Sequence, residues 1–534
     1  MDSIKKRNAI FRSELFRHLD GIAIAPVAYE LYLKGVFNPI LKAGAIDLKE
    51  LCTLFNANDG YLNVALRLLA CQGWLEYKVD NVTHQVTIST NDKSEKAFTN
   101  LSHYKEVVEL MKFSAQFHPR KFEKEPFEVW NRIAKKFING YFPYSEDEVE
   151  RQIQEQILKH IEGVLVGPSA VQLGMGGMFH KYFMEMSFSP AEYHQDPESF
   201  EQILDFFTYL GWFEKKSKTY KFTDKGLFFA KRSAAYGVTV SYIPTFRNLD
   251  ELIFGNPEML KVEAGEKEKG VDREMNVWGS GGAHIAYFEK VDDIIIELFN
   301  KPIAEQPKGI LDMGCGNGAF LIHIFDVVFH QTKRGKMLEE YPLFLVGADY
   351  NEAALNVTRS NLINADVWAK VIWGDIGNPD KLASDLKENY EMNLSDLLNV
   401  RTFLDHNRMW EDVDDHVHEP SISTGAFASK GRLLANNEVE ANLKVHFEKW
   451  KPYIKRFGLI VIELHGLGPT LTSSNLGKTA STAYEATHGF SDQYILEIDS
   501  FDKVVLEAGL EIDPTHRTKF PNSELATVSI NYLK

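Results

Sequence analysis

The sequence predicts an α/β protein in which a mostly helical half, containing two winged-helix-like units, precedes a Rossmann-like domain. Three observations carry this reading. Apolar residues recur at helical spacing over the first part of the chain, and a Gly-Trp element followed by two short strand-like runs occurs twice. A short apolar strand beginning at Gly309 then runs into a turn with glycines at alternate positions, which opens a helix.

Taken in order, Ile22, Val27, Leu31 and Leu33, and later Leu62, Leu66 and Leu69, follow three-and-four spacing and predict helices to about residue 70. The period then changes. Gly73-Trp74-Leu75-Glu76-Tyr77 and the run Val82, Gln85, Val86 and Ile88 beyond Asn81 predict a two-stranded wing. FFTYLGWFEKK at 206–216, followed by TYKFTDKG at 219–226, repeats the order, and QGWLEY at 72–77 matches LGWFEK at 210–215 in type. The pair implies an internal duplication. Winged helices often bind DNA, but these helices lack a dense Arg and Lys face, and Phe206, Phe207, Trp212 and Phe213 point to packing or dimerisation. The charged stretch Met259 to Glu274, with Glu263, Glu266, Lys267, Glu268 and Lys269, is the expected boundary, giving units at 1–140, 141–270 and 271–534.

A net charge of −16 argues against broad nucleic-acid binding, which needs clustered cations. The longest apolar runs, such as Phe457-Gly458-Leu459-Ile460-Val461-Ile462, stop well short of the roughly 20 residues that cross a bilayer. Basic residues near the N-terminus are mixed with acids and precede no apolar core, so a cytoplasmic address is expected. Cys52, Cys71 and Cys315 have no paired spacing and read as reduced thiols.

The central motif is GILDMGCGNGAFLIHIF at 309–325. Asp312 ends the strand, and Gly314, Gly316 and Gly318 allow positive φ and close approach of a ligand to the backbone. Free N–H groups of the helix from Ala319 follow. The D-x-G-x-G-x-G spacing does not meet the dinucleotide G-x-G-x-x-G frame, which weakens a NAD-dependent reading. It resembles the first motif of class I S-adenosylmethionine (SAM)-dependent methyltransferases. That resemblance implies Asp349, with Tyr350 beside it in FLVGADY at 344–350, as the ribose-binding acid. It implies Asp375 and Ile376, after Gly374 in VIWGDIGNP at 371–379, as the residues that hold the adenine.

The helical half resembles that of small-molecule O-methyltransferases, where such a unit forms a dimer and roofs the substrate site. WGSGGAHIAYFEKVD at 278–292, VRTFLDHNRMW at 400–410 and AYEATHGFSDQY at 483–494 resemble the C-methyltransferases of polyketide synthases, of the apratoxin loading-module type. The resemblance implies methylation of the carbon next to the thioester of an acyl chain on a carrier protein, with or without decarboxylation. Such chemistry asks for a base, a group that stabilises the enolate and a closed pocket.

His406 lies just beyond the expected fourth strand and is the first candidate for the base, with Asp405 or Arg408 as orienter or charge partner. Glu463 and His465, on one face of the strand in LIVIELHGLGP at 459–469, could form a dyad or bind a metal. Some relatives hold one metal ion at such a position, and His465, His488 and Gln493 are the candidate donors for a divalent or iron ion. Tyr242 and Arg247 are candidate substrate contacts. His284 and Tyr287 sit in a Gly-rich stretch that reads either as a lid or as a capped linker, and HVHE at 416–419 reads as a solvated acidic insertion. The rival readings are an O-methyltransferase of free small molecules and, from another class, a SAM-binding winged-helix regulator without chemistry.

Overall fold

The computed structural model describes every residue except Met1, 114–123, 182–185, 263–265, 267 and 414–419, and describes no side chains at 2–3 and 282–286. HVHE at 416–419, Glu263 and Lys267 of the charged stretch and the His284 side chain lie outside the described parts. The chain divides into two compact units. One comprises Met1–Gly282, Ala428–Leu433 and Gly468–Ser491, and the other Ala283–Phe427, Leu434–Leu467 and Asp492–Lys534. Both expected N-terminal units therefore belong to one unit, together with two stretches from the C-terminal third.

The first unit is built on the helix Asp2–Lys34, which packs along the helix Glu148–Met175. Ile22, Val27 and Leu31 are buried as their spacing requires, whereas Leu33, one residue before the helix ends, is 58% exposed. The two helices touch backbone to backbone. A Cβ on Gly21 would lie 2.3 Å from the His160 Cα, and one on Gly163 would lie 2.4 Å from the His18 carbonyl oxygen. Beside this crossing, His18 bonds the Tyr236 hydroxyl (2.7 Å) and Glu162 (3.0 Å), and His160 bonds the Tyr104 hydroxyl (2.6 Å).

The first wing is a three-stranded sheet in the order β1-β3-β2, with β1 Ala45–Asp47, β2 Glu76–Asp80 and β3 Gln85–Ser89. Strand β1 was not legible from the sequence, because three residues hold no period. The second wing pairs β4 Phe213–Lys216 with β5 Thr219–Phe222 after the helix Pro197–Tyr209. Gly73 (φ +78°) and Gly211 (φ +81°) turn the chain so that the tryptophan after each enters the core. Trp212 stacks between Phe207 (4.5 Å) and Phe229 (4.7 Å), and the Trp74 indole N–H donates to Gln156 (3.1 Å). The aromatic residues are thus packing residues. Within the stretch Gly468–Ser491, the helix Ser481–Gly489 is bound by an Arg67–Glu485 ion pair and a Gln72–Thr482 hydrogen bond (3.1 Å).

The expected Gly-rich loop before the second unit is helical, over Arg273–Phe288. Its glycine serves close packing rather than a turn, since a Cβ on Gly279 would lie 2.7 Å from the Gly237 Cα.

The second unit holds β6 Gly309–Met313, β7 Phe344–Asp349, β8 Lys370–Trp373 and β9 Leu397–Thr402. A short hairpin, β10 Phe427–Ser429 with β11 Arg432–Leu434, straddles the division between the units, and β12 Leu459–Leu464, β13 Thr518–Phe520 and β14 Val528–Leu533 follow. Seven strands form one sheet in the order β13-β14-β12-β9-β6-β7-β8. Strands β8, β7, β6, β9 and β12 run parallel to one another, and β14 runs antiparallel to β12 and β13. Strand order reverses at β6, which lies between β7 and β9, so its C-terminal end faces the crevice where open α/β sheets bind ligands. No described helix is long and apolar enough to cross a membrane.

The helix crossing gives a test. Gly21→Ala should lower stability by about 1–3 kcal/mol, because the added methyl meets backbone that cannot move aside. A lower thermal midpoint is expected, and an unchanged one would show that the helices can separate.

Candidate active site

The glycine turn has the geometry that its spacing predicts. Gly314, Gly316 and Gly318 have φ of +78°, +55° and +77°, and the helix Ala319–Gln331 follows. Gly314 N–H donates to the Ala348 carbonyl (2.7 Å) and Gly316 N–H to Asp349 Oδ2 (3.0 Å), so the ends of β6 and β7 share one bonded turn. A Cβ on Gly314 would lie 2.8 Å from Leu404, whereas one on Gly316 would meet only the Gly314 carbonyl oxygen, at 3.9 Å. The turn is closed toward β9 and open on its outer side.

Asp349 also accepts from Asn351 N–H (2.9 Å). Tyr350 is exposed beside Trp373 (ring centroids 5.4 Å), whose indole N–H donates to the Tyr350 carbonyl. Gly374 N–H bonds the Asp349 carbonyl (3.0 Å), Asp375 accepts from Gly377 N–H (2.8 Å), and Ile376 is buried. The structure therefore places all the expected cofactor residues along the C-terminal ends of β6, β7 and β8.

Asp312 shows what this rim can hold. Its side chain is buried, Oδ1 has no hydrogen-bond partner among the described residues, and burial, followed by the nearby Asp349 charge, pushes its pKa up to about 8. A buried carboxylate oxygen without a donor is costly. A ligand with a positive charge and N–H or O–H donors would relieve that cost, which fits SAM, with its sulfonium, amino group and ribose hydroxyls.

Strand β9 leads through Phe403, in the left-handed region at φ +54°, into a short 3-10 turn over Asp405–Asn407. His406 is buried there. Its Nδ1 lies 2.5 Å from Glu463 Oε1, its backbone N–H donates to Glu463 Oε2 (3.1 Å), and its carbonyl accepts from Tyr494 N–H (2.8 Å). His406 thus pairs with Glu463, from the end of β12, where the sequence suggested Asp405 or Arg408 as orienter or charge partner. Asp405 is turned away toward Arg401 and His446. Arg408 spends its donors on Asn442 (2.6 Å) and the carbonyls of Asp405 (2.9 Å) and Val439 (3.2 Å).

His465 does not pair with Glu463. Its Nδ1 faces the Leu496 carbonyl (3.1 Å), which can only accept, so Nδ1 carries the proton and Nε2 receives the Ser529 hydroxyl (2.7 Å). Burial lowers its pKa to about 3 and keeps it neutral. Both ring nitrogens are occupied, which does not suit a metal ligand. His488 belongs to the first unit, where its Nδ1 bonds the Tyr484 carbonyl (2.6 Å), and Gln493 belongs to the second. Among the described residues no three of His, Cys, Asp or Glu gather as a metal site. Tyr242 is buried and Arg247 exposed in the first unit. Tyr287 packs edge-on against Phe403 (5.8 Å) and Phe520 (5.1 Å), beside the turn that carries His406.

The sequence reading missed Arg401, His446, Asn442 and Tyr494, which hold this turn. One signal was present: an arginine inside the apolar strand LLNVRT has to be buried with a partner.

Residues 268–531 match the family model described as the AprA MT2-like domain, 162–256 the AprA winged helix domain and 11–77 the AprA N-terminal domain. No curated protein shows a matching sequence. Among solved structures, the mitomycin 7-O-methyltransferase MmcR is 10% identical, with a TM-score of 0.41, 72% of this chain covered and 98% of that one. The CurJ carbon methyltransferase is 12% identical, with a TM-score of 0.32 and coverage of 80% and 98%. An O-methyltransferase family protein from Burkholderia thailandensis is 11% identical, with a TM-score of 0.33 and coverage of 68% and 92%.

The raised pKa of Asp312 has a definite sign. The native state keeps a proton that the unfolded chain releases near 3.8, so the ligand-free fold loses stability as pH rises from 3.8 to about 8. A cationic ligand favours the ionised form, so calorimetric affinity for SAM should rise as pH is raised through about 8. S-adenosylhomocysteine, without the sulfonium charge, should gain less. Asp312→Asn should weaken SAM by about tenfold or more and flatten the pH dependence; an unaltered profile would remove Asp312 from the site. A chain that carries the AprA N-terminal, winged-helix and MT2-like domains in succession belongs to the class I SAM-dependent methyltransferases of that type.

Proposed function

We propose that this methyltransferase methylates the α-carbon of a malonyl-type acyl chain carried on a carrier protein, with His406 as the base. The observation that carries the reading is the buried His406–Glu463 pair at the C-terminal ends of β9 and β12. It adjoins the glycine turn, because Leu404, two residues before His406, lies against Gly314.

A carboxylate on Nδ1 favours the tautomer protonated there, and would stabilise the imidazolium that forms when Nε2 takes a proton. Glu463 is well placed for this role. Its Oε1 also accepts from Leu464 N–H (2.7 Å) and its Oε2 from His406 N–H, so it cannot swing away from the ring. SAM supplies an electrophilic methyl group on a sulfonium. His406 would take the α-proton of the acyl thioester, and the carbanion, delocalised onto the thioester oxygen, would bond to the methyl carbon as its bond to sulfur breaks and S-adenosylhomocysteine leaves. Loss of CO2 from a malonyl group would instead give the α-carbanion of the acetyl thioester, with no proton for the base to remove. The burial of His406 and Glu463 keeps solvent from quenching it.

Incubating the protein with SAM and malonyl- or methylmalonyl-carrier protein should add one methylene unit of mass to the acyl chain. Methylation of free phenols or carboxylic acids, with none on any carrier protein, would replace this proposal with O-methylation. His406→Gln should lower kcat by about 10²- to 10⁴-fold with SAM affinity retained, and Glu463→Gln should fall between it and the native protein. Unchanged turnover in His406→Gln would assign the base elsewhere.

A further inference from the structure

We propose that Asp405 is a positioning residue for the His406–Glu463 pair, acting through the buried cluster Arg401–Asp405–His446. The inference rests on the reading of His406 as the base.

Two elements converge on the turn. From β9, the fully buried Arg401 lies over the Trp450 ring at 4.0 Å and its Nη1 pairs with Asp405 Oδ1. From the helix Asn436–Ile454, His446 reaches the same oxygen with Nε2 at 2.9 Å. Burial lowers the His446 pKa to about 4, so the ring is neutral and donates a plain N–H. Burial acts to raise the Asp405 pKa, but the Arg401 charge and the His446 bond outweigh it and hold the carboxyl below the ordinary range.

The other side of the turn is tied to the same helix. The Asp405 carbonyl accepts from Arg408, which Asn442 and the Val439 carbonyl hold in place. His406 is therefore flanked by two anchored residues, while its own ring and backbone are held by Glu463 and Tyr494.

Stability alone does not explain the cluster. Apolar replacements of buried ion pairs are often neutral or stabilising. Here Arg401 Nε and Nη2 and Asp405 Oδ2 have no hydrogen-bond partner, so desolvation is only partly offset. What the cluster supplies is direction. A guanidinium from the sheet and an imidazole from a helix meet on one carboxylate oxygen and fix where the next residue stands.

The test uses the full chain and the acceptor that it methylates, with kcat, KM, SAM affinity and thermal midpoint measured for each variant. Asp405→Asn keeps the shape and removes the charge; it should lower kcat by about 10- to 100-fold with SAM affinity within about twofold. Added to His406→Gln, it should cost almost nothing more, because alignment matters only while His406 accepts the proton. A folded Asp405→Asn with full kcat, or a multiplicative loss in the double variant, overturns the inference. Should Asp405→Asn not fold, His446→Phe makes the same comparison, with a loss of about 3- to 10-fold expected and native kcat decisive against it. Native turnover in His406→Gln overturns the base assignment and this inference with it. An inactive His406→Gln beside a fully active Asp405→Asn overturns the inference alone.

Discussion

A carboxylate taken out of water needs donors, and three of them, Asp312, Asp405 and Glu463, sit together at the C-terminal ends of the central strands β6, β9 and β12. Each meets the need differently. Glu463 takes His406 and two backbone N–H groups, Asp405 takes an arginine and a neutral histidine on one oxygen, and Asp312 Oδ1, like Asp405 Oδ2, has no partner among the described residues. On the proposed function, the first is the partner of the base, the second fixes its place, and the third attracts a cationic ligand. The proposal thus divides proton transfer, alignment and cofactor binding among three buried acids on one rim of the sheet.

The backbone makes this division workable. Parallel strands β6, β9 and β12 lie side by side, so residues at their ends face one crevice although they are far apart in sequence. The glycine turn and the Phe403 turn bring the chain in close from both sides, each using positive φ. Leu404 against Gly314 then seals the gap between the ligand turn and the base turn.

Much of this was legible in the sequence where the signal is local. The glycine spacing, Asp312, Asp349 and the second Gly-Trp wing each follow from a few adjacent residues. Pairings between distant segments were not. Period-two alternation on β12 placed Glu463 and His465 on one face and suggested that they act together, but the neighbouring strands decide the partners. Strand β9 delivers His406 to Glu463, and β14 delivers Ser529 to His465. Adjacency likewise suggested Asp405 for His406, and the 3-10 turn points the two side chains in different directions. The Gly-rich stretch at 278–282 read as a loop, because sequence cannot tell a glycine needed for φ from one needed for a neighbouring helix.

The route of the chain after β12 bears on how the enzyme could be divided. Gly468–Ser491 belongs with the helical half, where Glu485 is buried against Arg67 and Thr482 bonds Gln72, and the chain then returns to the sheet at Asp492. A single cleavage near residue 270 would not yield a self-sufficient catalytic fragment. The released piece would carry Glu485 with its cation removed and a helix stripped of its packing, on a loop whose two stems, Glu463–His465 and Tyr494–Leu496, bond to the catalytic turn and to each other. A cut there would reach the turn that carries His406 through this segment.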